Sequence, residues 1–318
     1  MQLRALGMSD FKISLILMGT WQAGKEMWVG IDDAQSTRAV QAAFEAGITT
    51  FDTAAAYGKG HSERILGASL AGVRTDVILA TKVFANRLQF NQVIKSCHQS
   101  LKNLKTDYID LYQIHWPAGA FGTRAVPIEE TLAAMNELKE QGKIRAIGVS
   151  NFSCAQLEEA TQYARIDSIQ SPYSLFWRHI EGDIMSYCRE NNISILAYSP
   201  MAQGLLTGKF TQNHKFEKGD HRKKNRLFSP DNFRRAQKAL DGLRPIAEKN
   251  AASLGQLALA WVMSHAGTCA IAGARSADQV FPNARAADLI LSEKDLARMD
   301  EIGRIVTHYL DENPVMWG

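Results

Sequence analysis

Four ionisable side chains in the first 115 positions, those of Asp52, Tyr57, Lys82 and His115, each follow closely behind an apolar segment. Asp52, Lys82 and His115 are spaced by 30 and 33 residues, about one strand and one helix apart, and Tyr57 follows Asp52 by five residues. A free tyrosine has a pKa of about 10, and a neighbouring ammonium favours the phenolate and lowers that pKa. We therefore hypothesise that Tyr57 is a general acid whose pKa Lys82 lowers. Asp52 would hold Lys82 charged, and His115 would orient a carbonyl oxygen.

Taken one at a time, these residues have simpler explanations. A lone aspartate at a strand end often caps a turn, a lone histidine often satisfies a backbone carbonyl, and a lone lysine is usually solvated. The hypothesis therefore depends on a fold that gathers all four side chains at one place.

Eight short apolar segments alternate with segments of helical periodicity along the whole chain. They are residues 13–18, 48–51, 77–80, 108–114, 144–149, 167–170, 193–197 and 268–272. Continuous apolar runs of this length are typical of parallel strands buried on both faces. Eight strands, each followed by a helix, favour a closed (β/α)8 TIM barrel over an open sheet, and residues 19–24 lack the GxGxxG pattern of an open dinucleotide-binding sheet.

Proline, glycine and serine residues mark the predicted helix boundaries, and two segments depart from the strand–helix repeat. Pro127 and Gly142 bracket one helix, and Ser153 and Ser292 are placed to cap two others. We expect one domain over residues 1–318, with a hairpin in residues 2–12 plugging the barrel floor and a long loop, residues 199–231, after the seventh strand.

Every predicted strand ends in polar or ionisable residues. These ends are Thr20-Trp21, Asp52-Thr53, Lys82, His115, Ser150-Asn151, Gln170, Ser199 and Gly273-Ala274-Arg275. In a TIM barrel the chemistry lies at the carboxyl ends of the strands. Eight such ends would converge on one mouth, which helix capping alone explains poorly.

Composition excludes several classes of function. The net charge is only +3 over 318 residues, so we expect no nucleic-acid partner. The four cysteines lie far apart without paired spacing, which indicates reduced thiols, no metal site and a cytoplasmic protein. The apolar run at residues 13–18 is too short for a signal segment or a membrane span, so we expect no membrane association.

Several motifs resemble the aldo-keto reductases over nearly the full length. They are residues 47–63 (GITTFDTAAAYGKGHSE), 108–117 (YIDLYQIHWP), 143–152 (KIRAIGVSNF) and 197–209 (AYSPMAQGLLTGK). The bacterial, stress-protein-like branch is the most similar, and it also embraces potassium-channel β-subunits more distantly. The resemblance implies NADPH-dependent reduction of aldehydes and ketones to alcohols by hydride transfer, with Tyr57 as the general acid.

The resemblance also implies site residues. Asp52, Tyr57, Lys82 and His115 fall on the family's catalytic tetrad. The implied cofactor-binding residues are Gly19, Thr20, Trp21, Asp52, Ser150, Asn151, Gln170, Tyr198, Ser199, Met201, Gly204, Leu205, Gly273, Arg275, Gln279 and Asn283. Of these, Ser150, Asn151 and Gln170 would bind the nicotinamide carboxamide, and Tyr198 would stack on its ring. The implied substrate pocket is formed by Trp21, Tyr57, His115 and Trp116.

At the adenosine end of the implied site, Arg275 has an alternative explanation and Pro282 departs from the family pattern. Arg275 would bind the 2′-phosphate of NADPH, because a guanidinium matches two phosphate oxygens at once. Alternatively, Arg275 is an exposed arginine at a helix start, and Ser276 with Gln279 forms a capping box. Pro282 replaces a residue that is often acidic in the family, and it would disturb a helix outside the first turn.

The sequence is compatible with two other functions and with two roles for one loop. A regulatory nicotinamide-binding module of the channel β-subunit type is an alternative, disfavoured because no pore-blocking extension precedes the barrel. A barrel lyase or isomerase without nicotinamide is another. The basic residues between positions 214 and 226 form either a solvated loop or a closure over cofactor phosphates. The substrate, the preferred direction and the oligomeric state are not determined by the sequence.

Overall fold

An antiparallel hairpin and a closed eight-stranded parallel barrel form the β structure of this computed structural model, which describes residues 1–211 and 214–310. The hairpin is β1 (Leu3–Ala5) and β2 (Lys12–Ser14); the barrel strands are β3 (Ile16–Gly19), β4 (Thr50–Asp52), β5 (Ile78–Val83), β6 (Ile109–Ile114), β7 (Ile144–Ser150), β8 (Ser168–Pro172), β9 (Ser194–Tyr198) and β10 (Thr268–Gly273). Neighbours follow chain order, and β10 pairs with both β9 and β3. The predicted (β/α)8 barrel is confirmed.

Helices cover the outside of the barrel. They are α1 (Asp33–Glu45), α2 (His61–Ser69), α3 (Phe90–Leu104), α4 (Ile128–Glu140), α5 (Cys154–Thr161), α6 (Ile184–Glu190), α7 (Pro230–Lys249), α8 (Leu254–Met263), α9 (Ala277–Arg285) and α10 (Glu293–Thr307). Two of them, α7 and α10, are additional to the repeat and pack against each other. The barrel strands are buried almost throughout, because one face points into the barrel and the other is covered by helices.

The parallel register places polar side chains of neighbouring strands at the same level. Lys82 of β5 lies beside Gln113 of β6, and Ser150 of β7 lies beside Gln170 of β8. Residues in register on adjacent strands point to the same face of the sheet. The carboxyl-terminal layer of the barrel is therefore polar.

The predicted first strand, residues 13–18, is wrong in one respect, because the structure divides it between the hairpin and the barrel. Ser14 ends β2, and its hydroxyl donates to the Ile16 carbonyl at 2.7 Å and accepts the N–H of Thr50 at 3.2 Å. These bonds replace ladder contacts at the bend. An apolar run shows where buried residues are, but not where the chain turns between two sheets.

The hairpin closes the amino-terminal end of the barrel, as predicted. Leu6 is fully buried, and the Gly7 N–H donates to the Ser194 hydroxyl at 2.8 Å. Gly7 has φ +52°, and a Cβ atom there would lie 2.3 Å from the Asp167 carbonyl oxygen. Only glycine permits this close approach.

Most predicted helix boundaries are confirmed. Pro127 directly precedes α4, Ser153 forms a capping box at α5, and Ser292 caps α10. Pro282 lies in the second turn of α9, yet the helix continues through it. Proline has no N–H to donate to the Asp278 carbonyl and its ring crowds that carbonyl, so this turn of the helix carries the expected disturbance although the helix does not end there. Over the described parts of the chain, no helix is both long enough and apolar enough to cross a membrane.

Candidate active site

A cavity of about 1070 Å³ opens at the carboxyl ends of the barrel strands. It is lined by almost every residue that the sequence placed in the site. Two predicted residues lie behind its wall: Lys82, which is fully buried under Asp52, and Leu205, whose side chain is fully buried in the core. The predicted convergence of the strand ends on a single mouth is therefore observed.

A buried ion pair lies at the base of the cavity. The Lys82 amine donates to Oδ1 of Asp52 at 2.6 Å and to the Thr53 carbonyl at 2.7 Å. The Lys82 side chain is fully inaccessible and that of Asp52 is 4% exposed. Burial lowers the pKa of Lys82, and the carboxylates of Asp52 and Glu63 oppose this shift. The pair places a fixed dipole beneath the reacting groups.

Two amides satisfy the other oxygen of Asp52. Gln170 donates to Oδ2 at 2.9 Å, and Gln113 donates to the same oxygen at 3.3 Å. The sequence interpretation included Gln170 but missed Gln113. The available signal was a glutamine inside the buried segment 109–114, where an unpaired amide would be costly.

Tyr57 lies on the loop after β4, above the ion pair. The Lys82 amine is 5.2 Å from the centre of the Tyr57 ring, and the His115 ring meets that ring edge-on at 5.6 Å. Burial raises the pKa of Tyr57 well above 10, and the Asp52 carboxylate raises it further. The expected lowering of this pKa is therefore wrong in this structure, since Asp52 neutralises the Lys82 charge and burial dominates.

His115 is held neutral beside Tyr57. Burial lowers the pKa of His115 well below 6.5, and the Lys82 ammonium lowers it further. Within the described residues its Nδ1 atom is buried without a hydrogen-bond partner. The Phe84 ring meets the imidazole edge-on at 5.6 Å. A neutral imidazole can orient a carbonyl oxygen without competing for the proton of Tyr57.

Hydrogen bonds connect the carboxyl ends of β6, β7 and β9. Asn151 has φ +61°, and its amide donates to the His115 carbonyl and the Ser150 hydroxyl, each at 3.0 Å. The Tyr198 hydroxyl donates to the Asn151 side-chain oxygen at 2.8 Å. Asn151 therefore ties these strand ends together, which sequence alone did not show.

The segment after β9 has an unusual backbone. Ser199, Ala202, Gln203 and Gly204 have φ values of +54°, +49°, +55° and +93°. Three of these left-handed residues are consecutive, and successive N–H groups in such a turn can form a concave site for anions. Met201 lines the cavity, and the neighbouring Leu205 anchors the segment in the core.

Three cationic side chains lie close together at one end of the cavity: Lys209, Arg222 and Arg275. Arg222 is paired with Asp220, with Nε at 2.9 Å from the carboxylate, and it is only 8% exposed. Burial lowers the pKa values of Arg275 and Lys209, and the positive charge of Arg222 lowers both further. This end of the cavity therefore favours an anion.

The basic residues between positions 214 and 226 do not all behave alike. Some are solvated, and Arg222 lines the cavity. Lys215, Lys218, Lys223 and Lys224 are exposed, as a solvated loop requires. Arg222 instead faces the cavity, with its guanidinium 5.2 Å from the centre of the Trp28 ring. The sequence did not separate this arginine from its neighbours, because burial depends on contacts with a distant loop.

Arg275 and its neighbours occupy the same cationic end. The Arg275 guanidinium lies 4.9 Å from the centre of the Trp28 ring, and the Arg275 N–H donates to the Gln279 side chain at 2.9 Å. Ser276 makes no side-chain cap hydrogen bond, so the alternative capping box is not formed. Gln279, Pro282 and Asn283 line the cavity beside Arg275.

Aromatic rings form the wall near Tyr57 and His115. Trp116 and Phe121 meet edge-on at 5.0 Å, and Phe121 stacks on Phe84 at 5.9 Å. Trp21 lies 6.3 Å from Tyr57. Among the residues described, no group of three or more His, Cys, Asp or Glu side chains is arranged to hold a metal ion.

Known proteins are similar to this chain over nearly its full length. The family model described as the aldo/keto reductase family matches residues 15–304. The aldo-keto reductase YhdN of Bacillus subtilis (strain 168) is 39% identical over 292 residues, covering 88% of this chain and 87% of that protein. The NADH-specific methylglyoxal reductase of Escherichia coli (strain K12) is 34% identical over 320 residues, covering 93% of this chain and 97% of that protein.

A solved structure extends the comparison to three dimensions. An aldo-keto reductase from Klebsiella pneumoniae in complex with NADPH matches with a TM-score of 0.78 at 27% identity, covering 100% of this chain and 99% of that chain. The barrel topology, the matched length and these similarities agree with one another. The chain therefore belongs to the aldo/keto reductase family, whose members are oxidoreductases of small carbonyl compounds.

Proposed function

We propose that this protein reduces aldehydes and ketones to alcohols with NADPH, and that Tyr57 is the general acid. One observation supports the proposal most directly: the phenol of Tyr57 lies at the cavity mouth above a buried Asp52–Lys82 ion pair, next to the neutral imidazole of His115. Carbonyl reduction needs such a proton donor where the alkoxide forms.

The cavity suits a nicotinamide dinucleotide in both shape and polarity. Amide and aromatic side chains, a segment of left-handed backbone and three cationic side chains all line this one cavity. Within the described chain, Nη2 of Arg275, Nε1 of Trp28 and Nε2 of Gln203 are buried without a partner. Unsatisfied buried groups cost about 1–3 kcal/mol each, so these donors favour a ligand with many acceptor oxygens.

The cofactor, when bound, supplies the hydride that adds to the carbonyl carbon. Tyr57 donates its phenolic proton to the carbonyl oxygen. The neutral His115 orients that oxygen toward the phenol. Lys82 stabilises the phenolate that remains, and Asp52 holds Lys82 in place. The aromatic wall keeps water away from the reacting atoms, which strengthens each of these electrostatic interactions.

Arg275 is the proposed selector for NADPH. We expect Arg275→Ala to weaken NADPH binding by about 10–100-fold, the loss typical of a hydrogen bond to a charged group, and to change NADH binding little. Fluorescence titration with both cofactors measures this. The exposed Arg244, which pairs with Asp241 on the same helix, provides a matched control in Arg244→Ala.

This test is needed because proteins similar to this chain differ in their cofactor. One relative is NADH-specific, whereas a solved neighbour binds NADPH. Equal losses for both cofactors in Arg275→Ala would contradict a contact with the 2′-phosphate. Stronger binding of NADH than NADPH by the unmodified protein would place its preference with that of the methylglyoxal reductase.

The pH dependence of reduction follows from the shifted pKa values of Tyr57 and His115. Tyr57 is an acid only when protonated, so its activity is lost as the pH rises through its pKa, which burial raises above 10. His115 becomes charged only as the pH falls through its pKa, which burial lowers below 6.5. We expect kcat for reduction to stay nearly flat from about pH 7 to 9. A decline centred within that range would contradict the raised pKa.

Binding and turnover together separate the alternatives. We expect NADPH to quench tryptophan fluorescence, since Trp21 and Trp28 line the cavity, and aromatic aldehydes to be reduced. Tight binding with negligible turnover would support a regulatory module instead. Absence of binding by either cofactor would support a lyase or isomerase.

A further inference from the structure

Gln113 occupies the interior of the barrel beneath the candidate site. It lies on β6 beside Lys82 and is fully buried. Its amide nitrogen donates to Oδ2 of Asp52 at 3.3 Å, and its amide oxygen accepts a hydrogen bond from Gln170 at 3.2 Å. Asp52 and Gln170 both line the cavity, whereas Gln113 lies behind them. Any effect of Gln113 on a ligand therefore acts through these two residues.

The neighbouring strand leaves room for the Gln113 side chain. Gly148 of β7 is the register partner of Gln113. A Cβ atom at position 148 would lie 3.0 Å from Cγ of Gln113 and 2.5 Å from the Ser168 hydroxyl. A close-packed interior tolerates no such contact, so glycine at this position preserves the space in which Gln113 crosses the barrel.

The contacts of Gln113 determine which group Gln170 presents to the cavity. A primary amide has two N–H donors on its nitrogen and one acceptor oxygen. The Gln170 nitrogen donates to Asp52 at 2.9 Å and to Gln113 at 3.2 Å. Both of its donors are therefore used inside the barrel. What remains for a ligand is the carbonyl oxygen of Gln170, which accepts a hydrogen bond.

We propose that Gln113 is a positioning residue that holds Gln170 as a hydrogen-bond acceptor toward the cavity, so that the site selects a ring substituent with an N–H donor. The inference rests on the proposed function, because the substituent concerned is the carboxamide of the nicotinamide ring. With Gln113 in place, turning the Gln170 amide would set its oxygen against that of Gln113 and against the Asp52 carboxylate.

Two oxidised dinucleotides that differ in one group test the inference. NADP+ has a carboxamide, and its 3-acetylpyridine analogue has a methyl ketone, which lacks the N–H donor. We expect the unmodified protein to bind NADP+ about tenfold more tightly, the value of one good hydrogen bond. In Gln113→Met, one N–H of Gln170 is released and Asp52 alone holds the amide, so its orientation is less fixed and this preference should fall severalfold. Gln113→Leu is the second variant if Gln113→Met does not fold.

A matched control separates positioning from a general loss of stability. Thr131 on α4 is fully buried and donates to the Leu88 carbonyl at 2.8 Å, outside the site. Thr131→Val also removes one buried hydrogen bond, and its preference for the carboxamide should equal that of the unmodified protein.

The possible results distinguish the two proposals. A full tenfold preference in a folded Gln113→Met or Gln113→Leu would overturn the role of Gln113 alone. The same holds if the unmodified protein binds both dinucleotides equally. If it binds neither, the proposed function fails, and the inference fails with it.

Discussion

Replacing Tyr57 with phenylalanine should lower kcat for aldehyde reduction by at least about a hundredfold, while the Kd for NADPH stays nearly unchanged. Proton transfer by a positioned side chain contributes about 10²- to 10⁴-fold to a rate, and this substitution removes only the proton donor. The ring, its edge-on contact with His115 and its position 6.3 Å from the Trp21 ring are retained. Steady-state turnover and fluorescence titration of the same preparation measure both quantities.

A second buried tyrosine provides the control for this variant. Tyr112 on β6 is fully buried, and its hydroxyl has no hydrogen-bond partner in the described part of the chain. Tyr112→Phe removes an equivalent hydroxyl and should retain normal turnover. Equal turnover in Tyr57→Phe and the unmodified protein would exclude Tyr57 as the acid, and a large loss of NADPH binding would assign Tyr57 to binding.

Replacing Lys82 with methionine should affect both stability and activity. Methionine fills a similar volume but leaves the buried Asp52 carboxylate without its cation. Breaking a buried pair in this way typically lowers the free energy of unfolding by about 3–5 kcal/mol. Turnover should also fall, because no ammonium remains to stabilise the phenolate of Tyr57. Urea unfolding followed by circular dichroism measures the first effect, and steady-state kinetics measures the second.

A double variant separates the two roles of Lys82. In Asp52→Asn with Lys82→Met, the uncompensated carboxylate is absent, so much of the lost stability should return while turnover remains low. Recovery of turnover together with stability would indicate that Lys82 acts on structure alone. Equal stability of Lys82→Met and the unmodified protein would show that the Asp52 carboxylate is otherwise compensated.

The pattern of apolar segments predicted the architecture well, for a physical reason. A strand buried on both faces must be apolar along its length, so the eight runs correspond to the eight barrel strands. The bend at Ser14 was not predicted, because side-chain hydrogen bonds rather than polarity create it. The packing of α7 against α10 was not predicted either, since it joins two helices that are far apart in the chain.

The chain order of residue types also indicated where the site lies. Asp52, Tyr57 and His115 line the same cavity, because parallel strands direct their carboxyl ends to one rim of the barrel. Spacing by one strand–helix unit is visible in any linear sequence. The proximity of Arg222 to Trp28 is not, since it joins two loops separated by most of the chain.

The sequence by itself determined the barrel, the order of its strands and the identity of the ionisable residues at its mouth, because apolar periodicity and strand spacing are local properties. Only the tertiary structure decided how those residues ionise and which groups they present. Burial raises the pKa of Tyr57, opposite to the direction expected from a neighbouring ammonium alone. The contacts of Gln113 and Asp52 determine the orientation of the Gln170 amide. Desolvation and hydrogen-bond direction depend on every group around a side chain, and the fold alone brings those groups together.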